Sequence, residues 1–149
     1  METYKRKSAK PYNTEVTAIL QGRLGSTRLP GKVLMPVKGK PIMQHVLERI
    51  QHCRRIDKII VATTDLSEDD KIVKLFESLD VPIFRGSPDD PLDRYYRAAL
   101  HFEADHVVRI MADCPFIDPE IVDEVIDLYF KDSCDFCCLA GEFPTGLDT

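Results

Sequence analysis

Three cations, three glycines and two hydroxyl side chains lie within the segment from Gln21 to Lys32. The segment follows a β-branched apolar run, so it is predicted to begin where a buried strand ends. Glycines let backbone N–H groups approach an anion closely, and Arg23, Arg28 and Lys32 could neutralise a triphosphate. The alternative is a solvated basic loop with turn glycines. Three cations at one strand end favour the phosphate site.

The spacing within this loop excludes two common phosphate-binding motifs. Gly25 and Gly31 enclose one residue too many for a Walker A sequence, and Val33 stands where a magnesium-binding Ser or Thr would follow the lysine. The G-x-G-x-x-G fingerprint of dinucleotide-binding proteins is also absent. Any phosphate site in this loop is therefore of a different kind.

A carboxylate, Asp113, follows another apolar run, His106–Met111. Magnesium takes carboxylate, phosphate and water oxygens, so an aspartate at a strand end suits a metal that also binds phosphates. A turn aspartate is the alternative, because Pro115 follows closely. The strand-end position favours the metal role.

A second polar cluster follows the third apolar run and comprises Arg85, Ser87, Asp89, Asp90 and Asp93. Asp90 directly precedes a proline, where an aspartate is well suited to cap a helix. Asp90 and Asp93 therefore stay open between capping and ligand contact.

From residue 16 onward, short apolar runs alternate with segments of helical periodicity. Five runs have the length of a buried strand: Val16–Leu20, Lys58–Ala62, Val81–Phe84, His106–Met111 and Asp135–Leu139. Apolar residues at i, i+3, i+4 and i+7 predict helices over 43–50, 72–79, 92–99 and 122–129. First helical turns are predicted at Pro41, Pro91 and Pro119, and Ser67 is predicted to cap an acidic first turn.

This alternation predicts an α/β fold, a three-layer sandwich with a mainly parallel, Rossmann-like sheet and helices on both faces. Ligands of such sheets bind at the carboxyl ends of the strands, near the point where strand order reverses. Residues 1–15 are predicted to be a polar N-terminal tail, and 16–149 a single domain.

Composition excludes several classes of function. The chain has 149 residues, a formal net charge of -5 and 44% hydrophobic residues, which is ordinary for one soluble domain. The acidic balance argues against a nucleic-acid partner, and no run is long enough to span a membrane. Without a recognisable secretory signal, and with an odd number of cysteines, the expected setting is cytoplasmic with reduced thiols, most of them small core residues.

Several segments carry a more specific signal: GRLGSTRLPGK at 22–32 with GKP at 39–41, FRGS at 84–87, LDRYY at 92–96, VRIMADCP at 108–115 and FPTGLD at 143–148. They resemble the signatures of sugar-nucleotide cytidylyltransferases, the family that makes CMP-KDO and CMP-sialic acid. Within that family the chain is most similar to the branch named for the spore-coat polysaccharide biosynthesis protein F. The resemblance spans about residues 16–149 and implies a nucleotide-diphospho-sugar transferase-like fold.

The resemblance implies a nucleotidyltransferase of surface polysaccharide biosynthesis. It would join CMP from CTP to a sugar of the KDO or sialic acid type and release pyrophosphate with Mg2+ as cofactor. Such a reaction asks the protein for positioning and charge neutralisation. The implied catalytic residues are Arg23, Lys32 and Asp113, with Asp113 as the metal ligand. The implied nucleotide-binding residues are Leu20, Gln21, Gly22, Arg23, Gly25, Ser26, Arg28, Lys32, Arg85 and Asp93.

Some expectations stay open at this point. Cys114 stands where sugar-specific members often carry Glu, which leaves the acceptor sugar open. A glycosyltransferase-like protein and a non-catalytic nucleotide-binding homologue are the alternatives, and the family implies a homodimer. Residues 16–149 are expected to be the nucleotide-binding part of a domain truncated at its C-terminus, since a second metal-binding aspartate would lie beyond Thr149. We therefore expect this chain to bind CTP weakly with magnesium and to turn over no sugar.

Overall fold

The structure, a computed structural model, describes residues 14–139 of the chain. Its centre is a sheet of four parallel strands, β1 (Val16–Gln21), β4 (Lys58–Thr64), β5 (Ile83–Gly86) and β6 (His106–Met111), in the order β5-β4-β1-β6. A short antiparallel hairpin, β2 (Pro36–Val37) with β3 (Lys40–Pro41), precedes the first helix.

Four helices cover the two faces of this sheet: α1 (Ile42–Ile50), α2 (Asp70–Glu77), α3 (Pro91–His101) and α4 (Pro119–Asp132). Side chains alternate along β1, so Ala18 and Leu20 pack with α1, α2 and α4, whereas Ile19 packs with α3. The result is three layers around a parallel sheet, which confirms the predicted fold class.

Aspartates start two of the helices. Asp90 accepts a hydrogen bond from the Asp93 amide at 2.9 Å, and Asp118 accepts one from Glu120 at 2.9 Å. A proline follows each cap, as predicted. The prediction for Ser67 is wrong: residues Ser67–Asp69 form a 3-10 turn before α2, without a side-chain cap.

The predicted fifth strand is also wrong. Residues 135–139 follow α4 as irregular chain, and Phe136 is 78% exposed. An apolar run becomes a strand only where a neighbouring strand takes its backbone hydrogen bonds, and within residues 14–139 no strand pairs with this run. Cys138 is exposed and Cys114, Cys134 and Cys137 are half-buried, so the expectation that most cysteines are core residues is wrong. Cys53 is buried as expected, and burial raises the pKa of its thiol to about 12.

The N-terminal residues 1–13 and the segment 140–149, which includes the FPTGLD sequence, lie outside the described residues. Within 14–139, the helices are all too short or too polar to cross a lipid bilayer.

Candidate functional site

The carboxyl ends of β1 and β6 lie side by side where the strand order reverses. After β1 the chain places β4 and β5 on one side, and then returns to place β6 on the other. Gln21 pairs with Met111, and the Gln21 carbonyl accepts a hydrogen bond from the Ala112 amide at 2.9 Å. The loops that leave these two strands therefore begin at one edge of the sheet. We call the space between them the crevice; it is the usual ligand position in open α/β sheets.

Lys32 and Asp113 meet across the crevice, although 81 positions separate them in sequence. Lys32 Nζ donates a hydrogen bond to Asp113 Oδ2, and the two side chains are 25% and 26% exposed. Lys32 begins a 3-10 turn that Gly31 introduces with a φ of +73°, a conformation that favours glycine. The cation predicted to bind phosphate and the carboxylate predicted to bind metal thus share one site.

The glycine loop, residues 22–32, closes on the Leu24 peptide. The Leu24 carbonyl accepts hydrogen bonds from the amides of Ser26 at 2.7 Å and Gly31 at 2.9 Å. Within the described part of the chain, the amides of Gly25, Thr27 and Arg28 have no protein acceptor. N–H groups without a protein acceptor in a glycine-rich turn are available to an anion, and anion binding by this loop remains a prediction.

Gly22 lies at the closest approach of the two strand ends. A Cβ at this position would lie 2.7 Å from Ala112 Cβ and 3.2 Å from Met43 Sδ. Because Ala112 directly precedes Asp113, any side chain at position 22 would push the loop that carries Asp113 away from the glycine loop. Glycine is therefore needed for the crevice to be this narrow.

We expect Gly22→Ala to lower the free energy of unfolding by about 1–3 kcal/mol, the usual cost of overpacking a rigid contact. Urea denaturation measures it. Adding Ala112→Gly removes the clashing methyl group and should recover stability relative to the single variant. Gly25→Ala is the matched control, because its Cβ meets only the flexible end of Glu68, at 2.8 Å. Unchanged stability of Gly22→Ala, or no recovery in the double variant, would contradict this geometry.

Two arginines bring positive charge to the loop that follows β5. Arg23 Nη1 donates to the Pro88 carbonyl at 2.5 Å, and Arg94 Nη1 donates to the Ser87 carbonyl. Arg94 is 1% exposed, and its Nε has no hydrogen-bond partner among residues 14–139. Burial lowers the pKa of Arg94, and the positive charge of Arg23 lowers it further. An anionic ligand beside Arg23 would relieve this repulsion.

Arg85 lies apart from Lys32 and Asp113. Its guanidinium donates to the carbonyls of Thr64 at 3.0 Å and Leu66 at 2.8 Å, and to the Asp70 carboxylate at 2.7 Å. These bonds brace the connection from β4 to α2. Nucleotide contact by Arg85 remains a prediction.

The other predicted nucleotide-binding residues differ in placement. Gly22, Gly25, half-buried Ser26 and exposed Arg28 belong to the glycine loop. Gln21 ends β1, and its buried Oε1 has no partner among the described residues. The Leu20 side chain is fully buried in the core, and Asp93 accepts hydrogen bonds from Arg97 Nε at 2.8 Å. Their contacts with a nucleotide remain predictions.

The metal prediction for Asp113 can be tested against the donor groups nearby. Within residues 14–139, no three His, Cys, Asp or Glu side chains are grouped closely enough to hold a metal ion by themselves. A divalent cation at Asp113 would thus take most of its ligands from phosphates and water, which is how magnesium binds with nucleotides. The residues present fit a metal–nucleotide complex rather than a protein-only metal site.

Sequence analysis missed Asp69, Arg94 and the Pro88 carbonyl. Asp69 belongs to an acidic run that was interpreted as a helix start. Two threonines, Thr63 and Thr64, end the apolar strand shortly before Asp69. Their hydroxyl groups need an acceptor when buried, and this could have indicated a buried carboxylate nearby. The Pro88 carbonyl leaves no such signal, because its contact is with Arg23, 65 positions away, and the burial of Arg94 depends on packing that local sequence does not show.

Comparison with known proteins gives a consistent result. A sequence-family model described as Cytidylyltransferase matches residues 17–143. An uncharacterized protein of Methanocaldococcus jannaschii is 40% identical over 82% of this chain and 50% of its own length. The spore coat polysaccharide biosynthesis protein SpsF of Bacillus subtilis is 31% identical over 89% of this chain and 57% of its own length. An 8-amino-3,8-dideoxy-manno-octulosonate cytidylyltransferase of Shewanella frigidimarina is 35% identical over 82% and 50%.

Solved structures support the same fold. A cytidylyltransferase from Leptospira borgpetersenii superimposes with a TM-score of 0.84 at 34% identity, covering 91% of this chain and 59% of the other. A CMP:2-keto-3-deoxy-manno-octonic acid synthetase complexed with CTP gives a TM-score of 0.70 at 27% identity, over 81% and 49%. The chain thus spans about half the length of these relatives.

Proposed function

Because this chain belongs to the cytidylyltransferase family, we propose that it binds CTP with magnesium and takes part in transferring CMP to a sugar acid. One observation carries the proposal. Lys32 and Asp113 come together at the crevice, beside a loop in which three backbone amides have no acceptor within residues 14–139. A similar solved structure is complexed with CTP, which supports the choice of nucleotide. A similar sequence is named as an octulosonate cytidylyltransferase, which supports an acidic sugar as the acceptor.

In the proposed reaction, a sugar hydroxyl oxygen bonds to the α-phosphorus of CTP. The bond from that phosphorus to the oxygen bridging to the β-phosphorus breaks, the hydroxyl proton passes to water, and pyrophosphate leaves. Lys32 holds the β- and γ-phosphates and neutralises the charge that grows on pyrophosphate. The free amides of the glycine loop bind phosphate oxygens, and Arg23 grips the triphosphate from the side of Pro88. Asp113 would hold Mg2+, which neutralises phosphate charge and orients the triphosphate.

In the ligand-free protein, Lys32 and Asp113 pair with each other. Without a ligand, each group compensates the charge of the other in a partly buried position. A partly exposed pair is worth about 1 kcal/mol or less, so a ligand can replace it at little cost. When the ligands bind, the metal pairs with Asp113 and the phosphates pair with Lys32. Because each ligand compensates one member of the broken ion pair, magnesium binding and nucleotide binding are coupled.

A thermal-unfolding series with CTP, UTP, GTP and ATP, each with and without magnesium, tests the proposal. A ligand at 100 times its dissociation constant stabilises the folded state by about 2.7 kcal/mol. For a domain of this size that corresponds to a rise in Tm of roughly 5–10 °C. We expect the largest rise with CTP and magnesium. Equal rises with all four nucleotides contradict the cytidine preference, and no rise with any of them contradicts nucleotide binding.

A further inference from the structure

Asp69 is a fully buried carboxylate in the 3-10 turn between β4 and α2. Its Oδ2 accepts hydrogen bonds from Thr63 Oγ1 at 3.0 Å, from the Thr64 amide at 3.1 Å, and from Thr64 Oγ1. A buried carboxylate is costly unless its lone pairs are used, and these donors satisfy one of its two oxygens. The end of β4 therefore holds Asp69 in a fixed orientation.

The second oxygen of Asp69 reaches the glycine loop. Asp69 Oδ1 accepts a hydrogen bond from the Leu24 amide at 2.8 Å, across 45 positions in sequence. The Leu24 carbonyl accepts hydrogen bonds from the amides of Ser26 and Gly31. A charge-assisted bond to the Leu24 amide thus anchors the residue whose carbonyl closes the loop.

The turn that carries Asp69 meets the loop at a second point. Glu68 Oε1 lies 2.8 Å from where a Cβ of Gly25 would be, so its carboxylate end fills the space beside that glycine. The Leu24 bond therefore holds the loop against the turn that follows β4. The free amides of Gly25, Thr27 and Arg28 are thereby kept in a fixed arrangement next to Lys32.

We propose that Asp69 is the positioning residue of the triphosphate site: it fixes the glycine loop so that its free amides and Lys32 face the phosphates together. The inference rests on the proposed function and deepens it, because Asp69 is buried and acts only through Leu24. A displacement of about 1 Å of the groups that position a substrate can lower the reaction rate roughly 100-fold. Loss of the anchor is therefore expected to weaken nucleotide binding beyond its effect on stability.

The test compares Asp69→Asn with Thr63→Val. Both variants remove hydrogen bonds from the same buried cluster, and both are expected to lower Tm. An asparagine has a single acceptor oxygen, and three donors of Thr63 and Thr64 compete for it with the one Leu24 amide. We therefore expect the oxygen to face the threonines and the NH2 group to face the Leu24 amide, whereas Thr63→Val leaves the Leu24 bond intact. By calorimetry at a temperature where all proteins are folded, CTP with magnesium should bind Asp69→Asn 10- to 100-fold more weakly than the parent, and Thr63→Val within about threefold of it.

Amide hydrogen exchange in the ligand-free protein provides a readout that does not depend on CTP. Exchange at Leu24, Ser26 and Gly31 should accelerate in Asp69→Asn and not in Thr63→Val. If Asp69→Asn does not fold, Leu24→Pro removes the donor and leaves Asp69 with its threonine partners; it should weaken CTP binding to the same degree. Parent-like exchange and affinity in Asp69→Asn, or equal losses in Thr63→Val, would overturn the inference. A parent chain that binds no CTP, with accelerated exchange in Asp69→Asn, would instead refute the proposed function alone.

Discussion

Asp113→Asn is expected to abolish the strengthening of CTP binding by magnesium. The variant keeps the shape of the side chain and removes the charge that a hard divalent cation requires. Removing one member of a close charged contact in a binding site costs about 2–5 kcal/mol, so the magnesium-bound state should lose at least tenfold in CTP affinity. Calorimetric titration of CTP with and without magnesium measures the difference, which should be large for the parent and near zero for the variant.

Asp118→Asn is the matched control for this experiment. Asp118 lies in the same loop and caps α4 through the Glu120 amide at 2.9 Å, a role that asparagine fills equally well. The control removes one negative charge without touching the crevice, so its magnesium titration should match the parent. The folded state of Asp113→Asn should lose no more than about 1 kcal/mol, because its ion pair is partly exposed. Identical magnesium titrations of parent and Asp113→Asn would reduce Asp113 to a turn residue.

Replacing Lys32 with methionine is expected to weaken CTP binding by roughly 100-fold. The ammonium group is the cation nearest to Asp113, and without it the loop presents the triphosphate to an uncompensated carboxylate. Methionine retains the length and apolar stem of lysine, so packing of the 3-10 turn should persist. Calorimetry in the presence of magnesium measures the affinity. Lys38→Gln, on the exposed turn of the β2–β3 hairpin, is the matched control and should bind as the parent does.

Exchanging the charges of Lys32 and Asp113 distinguishes a role of this ion pair in stability from a role in CTP binding. The double variant Lys32→Asp with Asp113→Lys keeps an ion pair at the crevice and places each charge on the opposite loop. If the pair served only stability, the exchange would leave both stability and CTP affinity close to those of the parent. We expect near-parent stability with CTP binding lost, because a carboxylate then faces the phosphates. Parent-like CTP affinity in the exchanged protein would show that Lys32 does not hold the triphosphate.

Local sequence pattern was sufficient for most of the secondary structure. The run His106–Met111 is a strand with the predicted bounds, and the periodic segments 43–50, 92–99 and 122–129 lie inside α1, α3 and α4. Such patterns succeed because each element needs an apolar face at its own period, whatever its neighbours are. β4 continues two residues beyond the predicted Lys58–Ala62, because Thr63 and Thr64 pair with Arg85 and Gly86 of β5; their buried hydroxyls find an acceptor in Asp69.

The wrong predictions concern segments whose structure depends on hydrogen-bond partners that a local sequence pattern does not reveal. Residues 135–139 have the composition of a strand, yet no strand of the described sheet pairs with them. Ser67 and the acids after it resemble a helix cap, yet Asp69 turns inward to hold the glycine loop. The first run lacks a pairing strand among the described residues, and the Asp69 side chain is drawn inward by Thr63, Thr64 and the distant Leu24 amide; in both cases tertiary context overrides local preference.

For the site itself, the sequence alone determined which side chains are available and that each follows a buried strand: Arg23 and Lys32 after β1, and Asp113 after β6. Only the tertiary structure decided their partners, Lys32 with Asp113, Arg23 with the Pro88 carbonyl, and Leu24 with Asp69. The physical reason is that side-chain periodicity specifies which face of a strand is buried but carries no information about which strand lies next to it. That order, β5-β4-β1-β6, is set by the packing of the whole chain, and it is what brings residues 32 and 113 to the same edge.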